Sequence, residues 1–203
     1  MKVSSTKDVS LEILRGFAAK LAPGIEVEVD ESQIILLSAE PPSWVVFLAE
    51  ADWWLKVLAV YSALYIAEIV KEAGKATWKG LSNLASVRRK DKLNQLAAEV
   101  AELRGHLKDR TRIEIGMPVP NHYFATRLEL QGTDPAEIAA QIALFLHHLP
   151  ALKALIKSES LDKEKVAAGI FLKLRPDGAL EVSWHDQETL EKQQRVIPIS
   201  YEA

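Results

Sequence analysis

Several side chains of this sequence could form a binding surface if a helix at residues 50–73 presents them together. On a helical wheel, its aromatic residues form a ridge beside an acid, and a carboxylate among aromatic rings can have a perturbed pKa. A histidine of a later apolar helix could extend such a surface. The candidate ligand or partner surface therefore comprises Trp53, Trp54, Tyr61, Tyr65, Glu68 and His148.

A second candidate is a basic belt on an otherwise acidic protein. Residues 1–70 contain 5 basic and 10 acidic side chains, a net charge of −5, whereas residues 71–92 contain 7 basic and 2 acidic, a net of +5. Such a belt could contact an anionic partner, although a solvated stretch between two helices is the simpler interpretation. Its members are Lys71, Lys75, Lys79, Arg88, Arg89, Lys90 and Lys92.

The sequence shows no specific catalytic, nucleotide-binding or metal-binding motif. Gly74-Lys75-Ala76-Thr77 lacks the earlier glycine of a phosphate loop, and there is no Gly-x-Ser-x-Gly element. The histidines lack the spacing of metal ligands, so that His122, His185 and Asp186 could form a site only through the fold. Catalytic residues are therefore left unassigned, and we expect neither a metal nor a cofactor.

Two acids and a proline pair have competing interpretations. Glu50 and Asp52 could provide general acid-base chemistry, but acids at a helix N-terminus more simply offset the helix dipole. The stretch Glu40-Pro41-Pro42-Ser43-Trp44 could be a rigid recognition loop. A stiff crossover with Trp44 as a core anchor is the favoured interpretation. His148 is likewise expected to be a hydrogen-bonded core or interface residue.

The composition is that of a globular protein. The chain has 203 residues, of which 48% are hydrophobic and 26% charged, which predicts a single unit over 1–203 with possible subdomains 1–110 and 111–203. It has no cysteine, which excludes disulfides, thiolate metal sites and a cysteine nucleophile, and fits a reducing compartment. The N-terminus lacks a secretory pattern, so we expect a cytoplasmic protein. The net charge of −3 argues against specific nucleic-acid binding.

Periodicity predicts short strands grouped in hairpins, interrupted by helices. Alternating apolar residues predict strands at 25–29, 33–38, 113–117, 124–130, 170–174, 180–184 and, as an edge strand, 196–199. The segment 44–48 could be a strand or the start of the next helix. Because hairpins and helices are segregated, the pattern favours an α+β fold in which antiparallel hairpins form a sheet. That sheet would pack against three long helices, two of which form a helical hairpin.

Two of the four predicted helices, 49–73 and 135–157, are unusually apolar. The four helices lie at 8–21, 49–73, 83–109 and 135–157, with Pro150 expected to kink or break the last one. The 49–73 helix has two opposed apolar faces and should be sandwiched. The 83–109 helix has a short heptad seam at Leu93, Leu96, Val100, Leu103 and Leu107 that could cover one of them. The 135–157 helix should be buried on two sides, although an oligomer interface is an alternative.

The sequence itself does not reveal a function, but it allows three hypotheses. The first is a non-enzymatic interaction or regulatory protein that acts through its apolar helix surfaces, self-associating or binding another protein. The second is an enzyme or small-ligand-binding protein with a pocket beside helix 50–73. The third, weaker, is peripheral membrane association through the aromatic ridge and the basic belt. No uncharged apolar run is long enough to predict a transmembrane segment.

Overall fold

In its described residues the chain forms an α+β fold with four helices and an eight-stranded mixed sheet. The structure is a computed structural model, and it describes residues 1–22, 24–32, 43–58, 92–119, 125–162, 164–167 and 169–199. The helices are α1 (Leu11–Leu21), α2 (Ala51–Leu58), α3 (Lys92–His106) and α4 (Pro135–Ser158). The strands are β1 (Lys2–Ser5), β2 (Glu28–Val29), β3 (Trp44–Leu48), β4 (Arg112–Gly116), β5 (Thr126–Glu129), β6 (Ile170–Leu174), β7 (Leu180–His185) and β8 (Lys192–Ile197).

The sheet is mixed, in contrast to the antiparallel sheet that the sequence predicts. Its strand order is β2-β1-β3-β4-β5-β6-β7-β8, and the pairs β1–β2, β3–β4 and β5–β6 are parallel. Two of these parallel pairs follow from the placement of the helices. Helix α1 connects β1 to β2 and helix α4 connects β5 to β6, and a crossover helix of this kind makes the two strands that it connects parallel. The predicted hairpins β4–β5 and β6–β7 are confirmed as antiparallel pairs.

One face of the sheet supports the hydrophobic core. Val3, Phe47, Ile115, Leu128 and Val182 belong to a single buried cluster that also contains the apolar residues of α1, α3 and α4. These three helices form one layer, since α3 packs on both α1 and α4. Within the described residues α3 contacts α2 less extensively than it contacts α4. The predicted helical hairpin with 49–73 therefore remains a prediction.

Two predictions about apolar helix faces, the heptad seam of α3 and the two-sided burial of α4, hold in the described part of the chain. The heptad residues Leu93, Leu96, Val100 and Leu103 are buried, and Leu107 packs against the core. Helix α4 is buried on two adjoining sides and runs without a break through Pro150, whose ring is exposed. Its start is fixed by Asp134, which accepts a hydrogen bond from the Ala136 amide at 2.9 Å.

Some of the other elements differ from expectation, since β1 (Lys2–Ser5) was not predicted and β2 covers only Glu28–Val29 of the predicted strand 25–29. Residues 44–48 form a strand, which decides between the two alternatives that the sequence left open. The last strand begins at Lys192 rather than near 196. The sequence did not predict this earlier start because residues 192–195 are polar and show no apolar alternation. The predicted strand 33–38 and the predicted helical residues beyond Leu58 lie outside the described part of the chain.

Helix α4 also has the length and composition of a membrane-spanning helix. It is the one such helix among the described residues, and 67% of its most apolar 18-residue window is buried inside the protein. That burial is typical of the central helix of a packed core.

Candidate functional site

The sheet face opposite the helices carries charged side chains at its centre. Strand alternation directs Ile113 and Ile115 toward the helices and therefore Glu114 toward the opposite face. The register pairs Glu114 directly with Glu129 across β4 and β5. Carbon atoms Cβ of such a pair are about 5 Å apart. Two carboxylates are thus held side by side, which is destabilising unless cations lie close to them.

These acids line a cleft of about 550 Å³, here called the sheet-face cleft. It is lined by β4, β5, β6 and the first turns of α4, and it combines two arginines, one lysine, three glutamates, amide side chains and apolar groups. The lining residues that matter below are Arg112, Glu114, Arg127, Glu129, Gln131, Gln141, Phe171 and Lys173. The mixture of a few polar groups with apolar surface is typical of small-molecule sites.

Glu114 is the least solvated charged group of the cleft. Only 9% of the residue is exposed, and its Oε2 atom has no hydrogen-bond partner in the described part of the protein. Nη1 of Arg127 lies 3.7 Å from that oxygen, which is beyond hydrogen-bond distance. Burial raises the pKa of the Glu114 carboxyl, and the charge of Glu129 raises it further, against the opposing effect of Arg127 and Arg112.

The two arginines are held near the acids without closing onto them. The guanidinium carbon of Arg127 lies 5.4 Å from the ring centroid of Trp44, a cation–π arrangement that holds the side chain over the sheet. Arg112 Nε lies 3.9 Å from Glu129 Oε2. Both ion pairs are therefore longer than hydrogen bonds, so that the cleft retains donors and acceptors that can contact a ligand.

The rim of the cleft is fixed from beneath by two helices. The buried side chain of Gln141 on α4 accepts a hydrogen bond from the Gln131 amide at 2.8 Å and donates one to its carbonyl at 2.9 Å. Arg104 on α3 donates to the Leu130 carbonyl at 2.5 Å. The chain segment that follows β5 is thus tied to the helical layer, and the cleft is largely preformed.

A second cleft, of about 660 Å³, lies between the start of α2 and the end of α4. Met117, Ile156 and Leu161 give it an apolar floor, and Asp52 and Lys153 form an ion pair of 3.1 Å at its edge. Both side chains of that pair are more than half exposed, so the charges are solvated and already paired. We call this the α2/α4 cleft.

A smaller groove of about 230 Å³ separates α1 from α3. Its surface is apolar, with Lys20, Glu99, Glu102 and His106 along the edge. Lys20 contacts Glu102, and this contact lowers the pKa of the Glu102 carboxyl. Its charges are again exposed and paired, so neither of these two sites has a buried polar group comparable to Glu114.

The residues that the sequence selected as a ligand or partner surface do not share one exposed surface among the described residues, since those that are described differ in how deeply they are buried. Trp54 is fully buried and belongs to the core, whereas Trp53 beside it is half-buried. Tyr61, Tyr65 and Glu68 lie outside the described residues. Of the basic belt, only Lys92 is described, at the first position of α3, while Lys71, Lys75, Lys79, Arg88, Arg89 and Lys90 lie outside.

The structure also shows where several other residues singled out in the sequence lie. Glu50 and Asp52 are exposed at the start of α2 and line the α2/α4 cleft. Trp44 is half-buried on the face opposite the helices, where it contacts Arg127 instead of anchoring the core. His185 is exposed, and His122 lies outside the described residues.

His148 is a core residue, as the simpler interpretation of the sequence predicts. It is 1% exposed, and its Nε2 lies 2.8 Å from the Gly178 carbonyl in the β6–β7 turn. Because a carbonyl can only accept, Nε2 carries the proton and donates. Burial lowers the pKa of His148, with a further contribution from His147, although the bond to Gly178 opposes the change.

His148 is expected to make the protein less stable in mild acid. Its folded pKa lies below the unfolded value of 6.5, so the unfolded chain binds more protons as the pH falls from neutral. Stability is therefore fully present above pH 6.5 and is lost as the pH falls toward the folded pKa. Urea unfolding at pH 7.5 and pH 5.5 should show a smaller pH difference for His148→Gln than for the wild type. His185→Gln, an exposed control, should leave that difference unchanged; equal behaviour of the two variants would refute the assignment.

Sequence reasoning missed the charged residues of the sheet-face cleft. The available signal was the alternation in Ile113–Glu114–Ile115, which directs the acid away from the core but predicts exposure to water. Its burial depends on β4 lying at the centre of the sheet between β3 and β5, which the sequence pattern did not indicate. Arg127 and Glu129 were missed for the same reason.

No protein-family model, curated protein or solved structure gives a significant match to this chain. The proposals about its function therefore rest on the geometry described above.

Proposed function

We propose that this chain is a cytoplasmic, non-enzymatic binding protein that takes a small polar ligand into the sheet-face cleft. The observation that carries the proposal is Glu114, a carboxylate that is 9% exposed and has an oxygen without a hydrogen-bond partner in the described structure. Buried polar groups are nearly always hydrogen-bonded in folded proteins, so this oxygen calls for a partner beyond the described residues. Of the three such atoms in the described part of the chain (Arg104 Nε, Glu114 Oε2 and Trp184 Nε1), Glu114 Oε2 belongs to a residue that lines a cleft.

The energetics support a functional origin for this carboxylate. Burying a charged group costs several kcal/mol unless good hydrogen bonds compensate for the lost water. Arg127 supplies an opposite charge at 3.7 Å but no hydrogen bond. The partner that Oε2 lacks among the described residues is therefore one that a ligand in the cleft can supply.

Binding, rather than catalysis, suits the remaining lining. Its arginines, glutamates and amides are donors and acceptors on rigid strands, and Phe171 adds apolar surface beside Arg127 in the sheet register. These groups provide orientation and charge complementarity, which are the requirements of a recognition site.

Amide chemical-shift mapping with a library of small polar fragments tests this proposal. We expect shifts concentrated in β4, β5 and β6 for at least one fragment, and their loss in Glu114→Gln. As a matched control, Glu181→Gln changes an acid on β7 outside the cleft lining and should leave the shifts intact. Fragments that perturb only the α2/α4 cleft, or none that perturb the sheet, would contradict the proposal.

A second candidate is protein interaction, including self-association. The apolar faces of α4, which suggested it from the sequence, are buried within this chain. Support comes instead from Phe171 and Val196, which are 43% and 44% exposed, and from β8 at the edge of the described sheet. Sedimentation velocity at micromolar concentration tests this candidate, and a strict monomer would argue against self-association.

A further inference from the structure

The sheet-face cleft holds two acid–arginine pairs that are close but not hydrogen-bonded. Glu114 faces Arg127 at 3.7 Å, and Glu129 faces Arg112 at 3.9 Å. An isolated pair with such freedom would be expected to close into a bidentate bond. Here Arg127 is held over Trp44, and the strand register fixes both acids. The result is a cluster of two acids and two arginines in which Oε2 of Glu114 has no hydrogen-bond partner among the described residues.

A ligand that satisfies this arrangement must donate hydrogen bonds to the acids and accept them from the arginines, and these bonds are strongest when the ligand bears both charges. A purely cationic ligand would satisfy Glu114 but would repel both arginines, and a purely anionic ligand would leave Glu114 buried beside a like charge. The four groups sum to zero charge at neutral pH when all are ionised, which favours a ligand with no net charge. An ammonium group has three donors and can bridge two carboxylates, and a carboxylate accepts two bonds from one guanidinium.

We infer that the sheet-face cleft binds a zwitterionic α-amino acid, with its ammonium group at Glu114 and Glu129 and its carboxylate at Arg127 and Arg112. This inference rests on the proposed function, since it names the ligand of the same site. In an α-amino acid the two charged groups are attached to one carbon, which matches the adjacent placement of each acid and its arginine.

The amino acid bound here has an apolar side chain. Phe171 pairs with Arg127 in the β5–β6 register and is 43% exposed. Apolar surface beside the arginine therefore provides a place for the ligand side chain once the head group is seated, and the volume of about 550 Å³ is ample for it.

Calorimetric titration with three related probes tests the inference. L-Phenylalanine carries both charges, L-phenylalanine amide carries only the cation, and N-acetyl-L-phenylalanine carries only the anion. We expect the zwitterion to bind at least about tenfold more tightly than either blocked form, since each lost charge removes charge-assisted hydrogen bonds.

Two variants assign the charges to residues. Glu114→Gln should lower the affinity for phenylalanine and abolish the preference over the N-acetyl form, because the ammonium no longer finds its partner. Arg127→Gln should instead abolish the preference over the amide. Glu181→Gln, with its acid outside the cleft lining, should bind all three probes as the wild type does, and thermal melting of each variant confirms that it is folded.

The possible failures are distinguishable. If a blocked probe binds in the cleft as tightly as phenylalanine, the zwitterion inference is overturned while the cleft remains a binding site. If phenylalanine binds but Glu114→Gln and Arg127→Gln do not change its affinity, the assignment to this cleft is wrong. If no probe binds and no fragment shifts the amides of β4–β6, both the inference and the proposed function fail.

Discussion

Trp54→Ala is expected to lower the free energy of unfolding by about 3–5 kcal/mol, as for other large aromatic residues removed from a core. The indole is fully buried and lies edge-on to Phe145, with ring centroids 5.8 Å apart. Its Nε1 also donates to the Gly116 carbonyl at 2.9 Å. The side chain therefore joins the start of α2 to both α4 and the end of β4. Chemical denaturation of the variant measures the loss.

Two further variants separate the contributions of Trp54. Trp54→Phe keeps most of the ring packing but removes the hydrogen bond to Gly116, so the expected loss is smaller, about 1–2 kcal/mol. Trp53→Ala removes the neighbouring half-buried indole and should cost less than Trp54→Ala. Equal losses for Trp53→Ala and Trp54→Ala would show that Trp54 does not occupy the buried position described here.

Gly116→Ala is the second substitution with a large expected effect, a loss of about 3 kcal/mol or more. A Cβ atom at this position would lie 1.7 Å from the Thr126 carbonyl oxygen and 2.9 Å from its carbonyl carbon. Both are backbone atoms of the paired strand, so no rotamer change can relieve the clash. The β4–β5 pair would have to separate, and such overpacking is destabilising. Thermal and chemical unfolding measure the effect.

The chain provides a matched control for this substitution. Gly16 lies in α1, and a Cβ there meets no atom within 4 Å. Gly16→Ala is therefore expected to raise the free energy of unfolding by about 0.5–1 kcal/mol, because alanine favours the helix over glycine. If Gly116→Ala were as stable as Gly16→Ala, the close approach of β4 to β5 would be disproved.

Local patterns in the sequence predicted much of the secondary structure. The capping Asp134 and the following Pro135 located the start of α4, and apolar alternation located β4, β6 and β7. These features depend on interactions between residues close in the chain, which a sequence pattern records directly. The burial of α4 followed from the same evidence, since a helix with apolar residues on adjoining faces needs partners on both.

The arrangement of the strands could not be predicted from the same patterns. The sequence allows a strand at 44–48 as one of two alternatives, but it does not indicate that Val45–Phe47 pair in parallel with Ile113–Ile115. Such long-range pairing is decided by how the whole set of helices and strands packs. The candidate site depended on it, because Glu114 is buried only when β4 has neighbours on both sides. Sequence reasoning therefore anticipated the buried, hydrogen-bonded His148, but it placed the core residue Trp54 on a binding surface and had no basis for selecting Glu114.

The parallel pair β3–β4 has a consequence for how the protein folds as it is synthesised. Trp44–Leu48 leaves the ribosome well before its partner Arg112–Gly116, whereas the β6–β7 hairpin can form as soon as it emerges. Until β4 arrives, the edge of β3 offers unpaired backbone groups and the apolar side chains of Val45, Val46 and Phe47. Long-range pairing of this kind slows folding, and exposed apolar strand edges promote aggregation. The nascent chain is therefore expected to be most vulnerable between the emergence of these two strands, when chaperones would have most to protect.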